Sequence, residues 1–113
     1  MAVTIHLAVS DGSLRRALVS RLIPILGNGL FAGVPPVQGT MRAGDVVVSP
    51  ACDLTTEDCA RLSERGVHVI ILAPLPRPSE EERYGRAGAA SYLPMAVDTA
   101  PLVRAIELAA FAT

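Results

Sequence analysis

The sequence predicts one doubly wound α/β domain, a mostly parallel sheet with helices on both faces. Three observations predict it. Val3 to Val9, Asp45 to Pro50 and Val67 to Leu72 are short apolar runs rich in β-branched residues, the pattern of strands buried on both faces. Stretches with helical spacing or helix-start signals alternate with these runs, which is the βαβ order of a parallel sheet. The chain has 113 residues, half of them hydrophobic, with no internal repeat and no linker. That is enough for one domain around one core, residues 1–113.

Each element follows from local chemistry. After the first strand, Ser10-Asp11-Gly12-Ser13 is a turn in which Asp11 or Ser13 caps the helix that follows. Leu14, Leu18, Val19, Leu22 and Ile23 recur at helical spacing, with Arg15, Arg16 and Arg21 on the wet face. Pro24 is expected to end or kink this helix. Ile25 to Arg42 is rich in Gly and Pro; Leu30 to Val34 fits a short strand, and no amphipathic helix follows it. Gly27-Asn28-Gly29 has the residues of a turn, without the Lys-Ser/Thr of a phosphate loop.

The strand from Asp45 stops at Pro50, and Thr55-Thr56-Glu57-Asp58 starts a helix with acidic residues near its positive end. Cys59 and Leu62 are its apolar side and Gly66 ends it. After Val67 to Leu72 comes the turn Ala73 to Pro78, then the capping-box pattern Ser79-Glu80-Glu81-Glu82 opening a short polar helix to about Arg86. Gly88 suits the left-handed residue that closes it, Ser91 to Leu93 is the last strand, and Asp98 caps a final helix with Pro101 in its first turn.

Composition excludes several classes of function. Ten arginines against eleven acidic residues leave a net charge of −1, so this domain alone lacks the basic face that grips nucleic acid. No apolar stretch approaches the roughly 20 residues that span a bilayer, and no signal peptide opens the chain. Cys52 and Cys59 match neither a disulfide framework nor a zinc site, which fits a reducing cytoplasm. His6 and His68 lie within or at the start of strands, where a lone histidine is a packed residue rather than a base. No catalytic set, metal site or cofactor is expected.

From Ala87-Gly88-Ala89-Ala90-Ser91-Tyr92-Leu93-Pro94-Met95 to the helix after Asp98, the chain closely resembles the last strand and helix of response-regulator receiver domains. The resemblance is strong from Asp45 onward, fair from Thr4 to Ile23 and poor between. It implies a flavodoxin-like five-stranded parallel sheet in the order 2-1-3-4-5, with the second helix missing or reduced because Ile25 to Arg42 is too short for it. In receivers, two acids after the first strand help hold Mg²⁺ and an aspartate ending the third strand accepts a phosphoryl group. A Ser or Thr ending the fourth strand and a Lys ending the fifth contact that group, and an aromatic on the fifth strand reports the change. Hard oxygens, a carboxylate nucleophile and donors to phosphoryl oxygens are what that chemistry needs.

Here the acidic pair falls on Ser10-Asp11, the acceptor on Pro50 (Ser49 in the neighbouring register), the hydroxyl on Ala73 and the lysine on Met95; only Asp11 and Tyr92 match. Proline accepts no phosphoryl group, alanine donates no hydrogen bond and methionine neutralises no anion. Asp53, three residues past the strand end, is the one candidate for a displaced acceptor, against a plainer role as a loop residue.

The resemblance and its departures imply a degenerate receiver, a regulatory protein-interaction module. It would be stand-alone or the N-terminal part of a transcription regulator or of an ATPase that places a cellular machine. One alternative is a sensor holding an apolar ligand against Pro50, Ala73 and Met95; another is metal-dependent chemistry on Asp11 and Asp53. Self-association or a protein partner is expected, through Tyr92, Arg104 and Glu107 of the last strand and helix or through sheet left bare by the missing helix. The mean hydropathy of +0.41 is high for a lone domain and points the same way.

Overall fold

In a computed structural model, residues 4–26, 30–33, 41–96 and 98–110 are described. The elements in order are β1 (Ile5–Ala8), α1 (Gly12–Leu26), β2 (Leu30–Gly33), β3 (Val46–Pro50), α2 (Thr56–Glu64), β4 (His68–Ala73), α3 (Pro78–Arg86), β5 (Ser91–Pro94) and α4 (Ala100–Ala110). The strands form one sheet in the order β2-β1-β3-β4-β5. All four pairings are parallel, with Ile5 opposite both Leu30 and Val46, Val46 opposite His68, and Ile70 opposite Ser91.

The period of two along each strand divides the core between two faces. Val46 and Val48 of β3 and Ile70 and Leu72 of β4 pack with Leu18 and Leu22 of α1 and Leu102, Ala105, Ile106 and Ala109 of α4. Val47, Val69 and Ile71 point the other way, onto Cys59 and Leu62 of α2 and Tyr84 of α3. Both faces of the central strands β3 and β4 are thus covered, as parallel strands require.

Two element boundaries differ from the sequence reading. Helix α1 continues through Pro24 to Leu26, so of the two expected outcomes, an end or a kink, Pro24 does not end it. Pro24 and the residue four before it, Ser20, are both exposed, so the carbonyl that loses its helical donor lies on the solvent side of the helix, where the loss is cheap. The capping box at Ser79 is not made. Helix α3 starts two residues earlier than that box implies, at Pro78, its N-cap is Arg77 with no side-chain cap bond, and Glu80 is engaged elsewhere. Proline at the first helical position pre-sets φ and loses a donor that would have no helical partner there.

Other signals hold as read. Thr55 Oγ1 accepts the Asp58 N–H at 3.1 Å. Gly88 has φ +99, and a Cβ there would lie 2.2 Å from the Ser63 hydroxyl oxygen. The expected loss of the second helix, between β2 and β3, falls largely on residues 34–40, which lie outside the described residues.

Candidate functional site

The C-terminal ends of β1, β3, β4 and β5 bring the pocket positions to one edge of the sheet. Pro50 ends β3, is fully buried and pairs with Leu72; the ladder resumes at Ala51, whose N–H donates to Leu72 O at 2.9 Å. Ser49 is buried as well, and its hydroxyl donates to the Pro50 carbonyl at 3.2 Å. Ala73 ends β4, fully buried and paired with Pro94. Met95 follows β5, with its N–H on Ala73 O at 2.8 Å and its side chain packed against the α1/α4 core. Three positions where a receiver keeps a nucleophile, a hydroxyl and a cation are therefore apolar groups, two of them in the dry interior.

The remaining polar groups are engaged with each other or with backbone. Asp11 Oδ1 accepts the N–H of Ser13 at 2.9 Å and of Leu14 at 3.2 Å, the geometry of a helix cap. Asp53 Oδ2 accepts the Ser10 N–H at 2.9 Å and its Oδ1 accepts the Ser10 hydroxyl at 2.6 Å. This carboxylate clamps the loop after β3 to the loop after β1. Arg15 from α1 donates to Val9 O at 2.7 Å, closing the same edge. Among the described residues no three His, Cys, Asp or Glu side chains gather as metal ligands would.

On β5, half-buried Tyr92 donates to Glu80 Oε1 at 2.5 Å and accepts the Arg77 N–H at 3.2 Å. Burial and the adjacent Glu80 carboxylate push its phenol above the usual range. Its ring stacks on Tyr84, centroids 6.1 Å apart. Arg104 and Glu107 are exposed on α4 beside exposed Leu108. An open cleft beside them is lined by Ile25, Asp98, Val103, Arg104 and Glu107, away from Pro50 and Ala73.

Sequence reasoning missed two features. Tyr84 is buried, with its hydroxyl 2.6 Å from Leu54 O and 2.9 Å from Ala51 O; a lone aromatic in the otherwise polar run Ser79 to Arg86 was its only signal. The second is a buried pair at the opposite, N-terminal edge of the sheet, His6 Nε2 to Asp45 Oδ2 at 3.0 Å. Asp45 also accepts the N–H of Thr4 at 3.3 Å and of Arg42 at 3.1 Å. Burial alone would raise its carboxyl, but the bonds from His6, Arg42 and Thr4 outweigh it and hold the pKa below the usual value. His6 is a packed residue, as its place in a strand predicts.

Solved structures decide what this architecture is. The chain superposes on FixJ-N with a TM-score of 0.79 at 16% identity, covering 97% of this chain and 94% of that one. A response regulator receiver protein from Pseudoalteromonas atlantica gives a TM-score of 0.75 at 20% identity, with 94% and 95% covered. The fold is that of a response-regulator receiver domain. A putative pilus assembly protein (CpaE) from Burkholderia thailandensis shares this receiver fold, with a TM-score of 0.78, 21% identity and 96% and 98% covered. No family model and no curated protein sequence matches the chain. At the C-terminal edge of this sheet, Pro50, Ala73 and Met95 are apolar, while Asp11 and Tyr92 are of the types the resemblance calls for.

Proposed function

We propose that this chain is a receiver-like regulatory module that works by binding protein and not by accepting a phosphoryl group. The observation that carries the reading is the working edge: Pro50 and Ala73 are fully buried, and Met95 packs into the core beside them. A nucleophile, a hydroxyl donor and a cation are the minimum for phosphoryl transfer to a receiver aspartate, and none of the three positions supplies its part. The displaced candidate, Asp53, is held in place by one hydrogen bond from Ser10 to each of its oxygens. On this reading the module signals by contact and has no enzymatic role of its own.

The partner is a protein or a second copy of this chain, met through Tyr92 of β5 and through Arg104 and Glu107 of α4. Exposed Leu108 and Ile25 add apolar area, 65% and 54% exposed, beside one charge of each sign, which a second copy of the chain can meet with the opposite sign. Likeness to a pilus assembly protein supports a place within a larger assembly. No helix among the described residues is long and apolar enough to cross a membrane, which fits a module working in the cytoplasm.

Incubation with acetyl phosphate and Mg²⁺, read by intact mass, tests the reading. The expected mass is unchanged; a stable phosphoryl adduct on any aspartate overturns it.

A further inference from the structure

No charged residue occurs from Leu22 to Met41, between Arg21 and Arg42, in a chain that is 19% charged. Strand β2 lies inside this run. It is the outermost strand of the sheet and pairs with β1 alone, so among the described residues its outer side meets no strand. Edge strands are ordinarily guarded against pairing with another chain by a charge or a proline. The opposite edge follows that rule. Strand β5 ends in Pro94, and its Tyr92 hydroxyl is held by Glu80. Leu30–Gly33 has neither a charge nor a proline.

Helix α1 extends this uncharged edge. It packs on β2, whereas α4 packs on β3, β4 and β5. Ile25 faces α4, lining the cleft with Val103 and Arg104. Two residues are about 200° around a helix, so Ile23 points away from α4. That is the side of α1 toward the outer edge of β2. Ile23 is 50% exposed there, one turn after half-buried Val19. An unguarded backbone edge and an exposed isoleucine thus lie on the same side of the domain.

We propose that the outer edge of β2 pairs with β2 of a second copy, antiparallel about a two-fold axis, with Ile23 of each copy packing across the join. Two five-stranded sheets become one continuous sheet. A two-fold contact sets each residue near its own copy, and like charges directly opposite one another destabilise a strand pair. A run with no charge is free of that penalty, so this edge fits itself. The inference rests on the reading of the chain as a module that works by binding protein. It adds a contact separate from Arg104 and Glu107, because Ile23 and Ile25 face opposite sides of α1. Four residues per strand offer few backbone bonds, so burial of Ile23 supplies much of the attraction and the dimer is a weak one.

The full chain carrying Arg104→Glu isolates this contact, since that change disables the α4 surface. Sedimentation velocity should show association that stops at the dimer. Adding Ile23→Lys sets like charges across the axis and should weaken that dimer about tenfold or more, while Ile23→Leu should preserve it. Amide hydrogen exchange reads the strand itself and needs no substitution: protection of Leu30–Gly33 should rise with chain concentration.

An Arg104→Glu chain that stays monomeric at high micromolar concentration overturns the proposal, as does a dimer indifferent to Ile23→Lys. Exchange at Leu30–Gly33 that is the same at every concentration overturns it too, whether the amides are always open or already covered within one chain. None of these results touches the reading of the chain as a non-phosphorylated module. A phosphoryl adduct would sink that reading and leave the β2 pairing standing.

Discussion

Replacing Asp45 by alanine tests the N-terminal edge of the sheet most severely. The carboxylate is 11% exposed and takes three donors: His6 Nε2 at 3.0 Å, Arg42 N at 3.1 Å and Thr4 N at 3.3 Å. His6 is 3% exposed, so losing this acceptor costs the greater part of a buried desolvation penalty, about 1–3 kcal/mol. Thr4 and Arg42 are more open to water, and each lost bond there is worth about 0.5–1 kcal/mol. The sum is about 3 kcal/mol, or roughly two decades in the unfolding equilibrium, enough to lower the melting temperature by more than about 10 °C in a domain of this size. Asp45→Asn keeps the shape and one acceptor oxygen for His6 and Arg42 but turns a donor toward the Thr4 N–H, and should cost about 1–2 kcal/mol near neutral pH, less than alanine. Urea unfolding of parent and both variants reads these differences. The pH dependence has a fixed sign. Because the folded pKa lies below the unfolded one, Asp45 contributes fully above about pH 4, the unfolded carboxyl value, and loses that contribution as pH falls through the folded value. The gap between parent and Asp45→Asn should therefore close in acid. An Asp45→Ala variant within about 0.5 kcal/mol of the parent would refute the account of this pair.

Other expectations are simpler. Gly88→Ala adds a Cβ at 2.2 Å from the Ser63 hydroxyl in a backbone with φ +99, and should destabilise by about 2–4 kcal/mol in thermal or urea unfolding. Ser63→Gly should recover part of that loss by opening the space. Asp11 acts as a cap, so Asp11→Asn should cost at most about 1 kcal/mol, and millimolar Mg²⁺ should not raise the parent's melting temperature. Burial pushes the Cys59 thiol up to about 11, so a thiol reagent at neutral pH should titrate Cys52 alone until the protein unfolds. Self-association should appear in light scattering across a concentration series, and Arg104→Glu should weaken it by setting like charges against Glu107.

The centre of the sheet was legible because its strands are short β-branched runs buried on both faces, and Val46–Pro50 and His68–Ala73 announce themselves; Leu30–Gly33 stands out in the sequence between glycines. Caps with a local partner were legible too, as at Asp11 and Thr55. Local rules misplaced the start of α3, where Ser79 matches a capping pattern but Pro78 is the better first helical residue. They also left an end or a kink open at Pro24, because the exposure of that turn, which makes a lost bond cheap, is a tertiary property. In the candidate site the losses at Pro50, Ala73 and Met95 could be read by position alone. The Ser10–Asp53 clamp spans 43 residues and the His6–Asp45 pair 39, and no spacing rule links residues so far apart. Tyr84 was hidden for the same reason: its hydroxyl partners are carbonyls on another loop, 30 and 33 residues away.

The central claim is a receiver fold whose phosphorylation edge is closed by apolar packing and an internal clamp. Amide NMR of the full chain with and without beryllium fluoride and Mg²⁺ tests it most directly, because that phosphoryl mimic binds only where a carboxylate, a hydroxyl donor and a cation converge. The account predicts unchanged amide positions at Ser10, Asp53, Ala73 and Tyr92. Saturable shifts at those residues, abolished by Asp53→Ala, would contradict it.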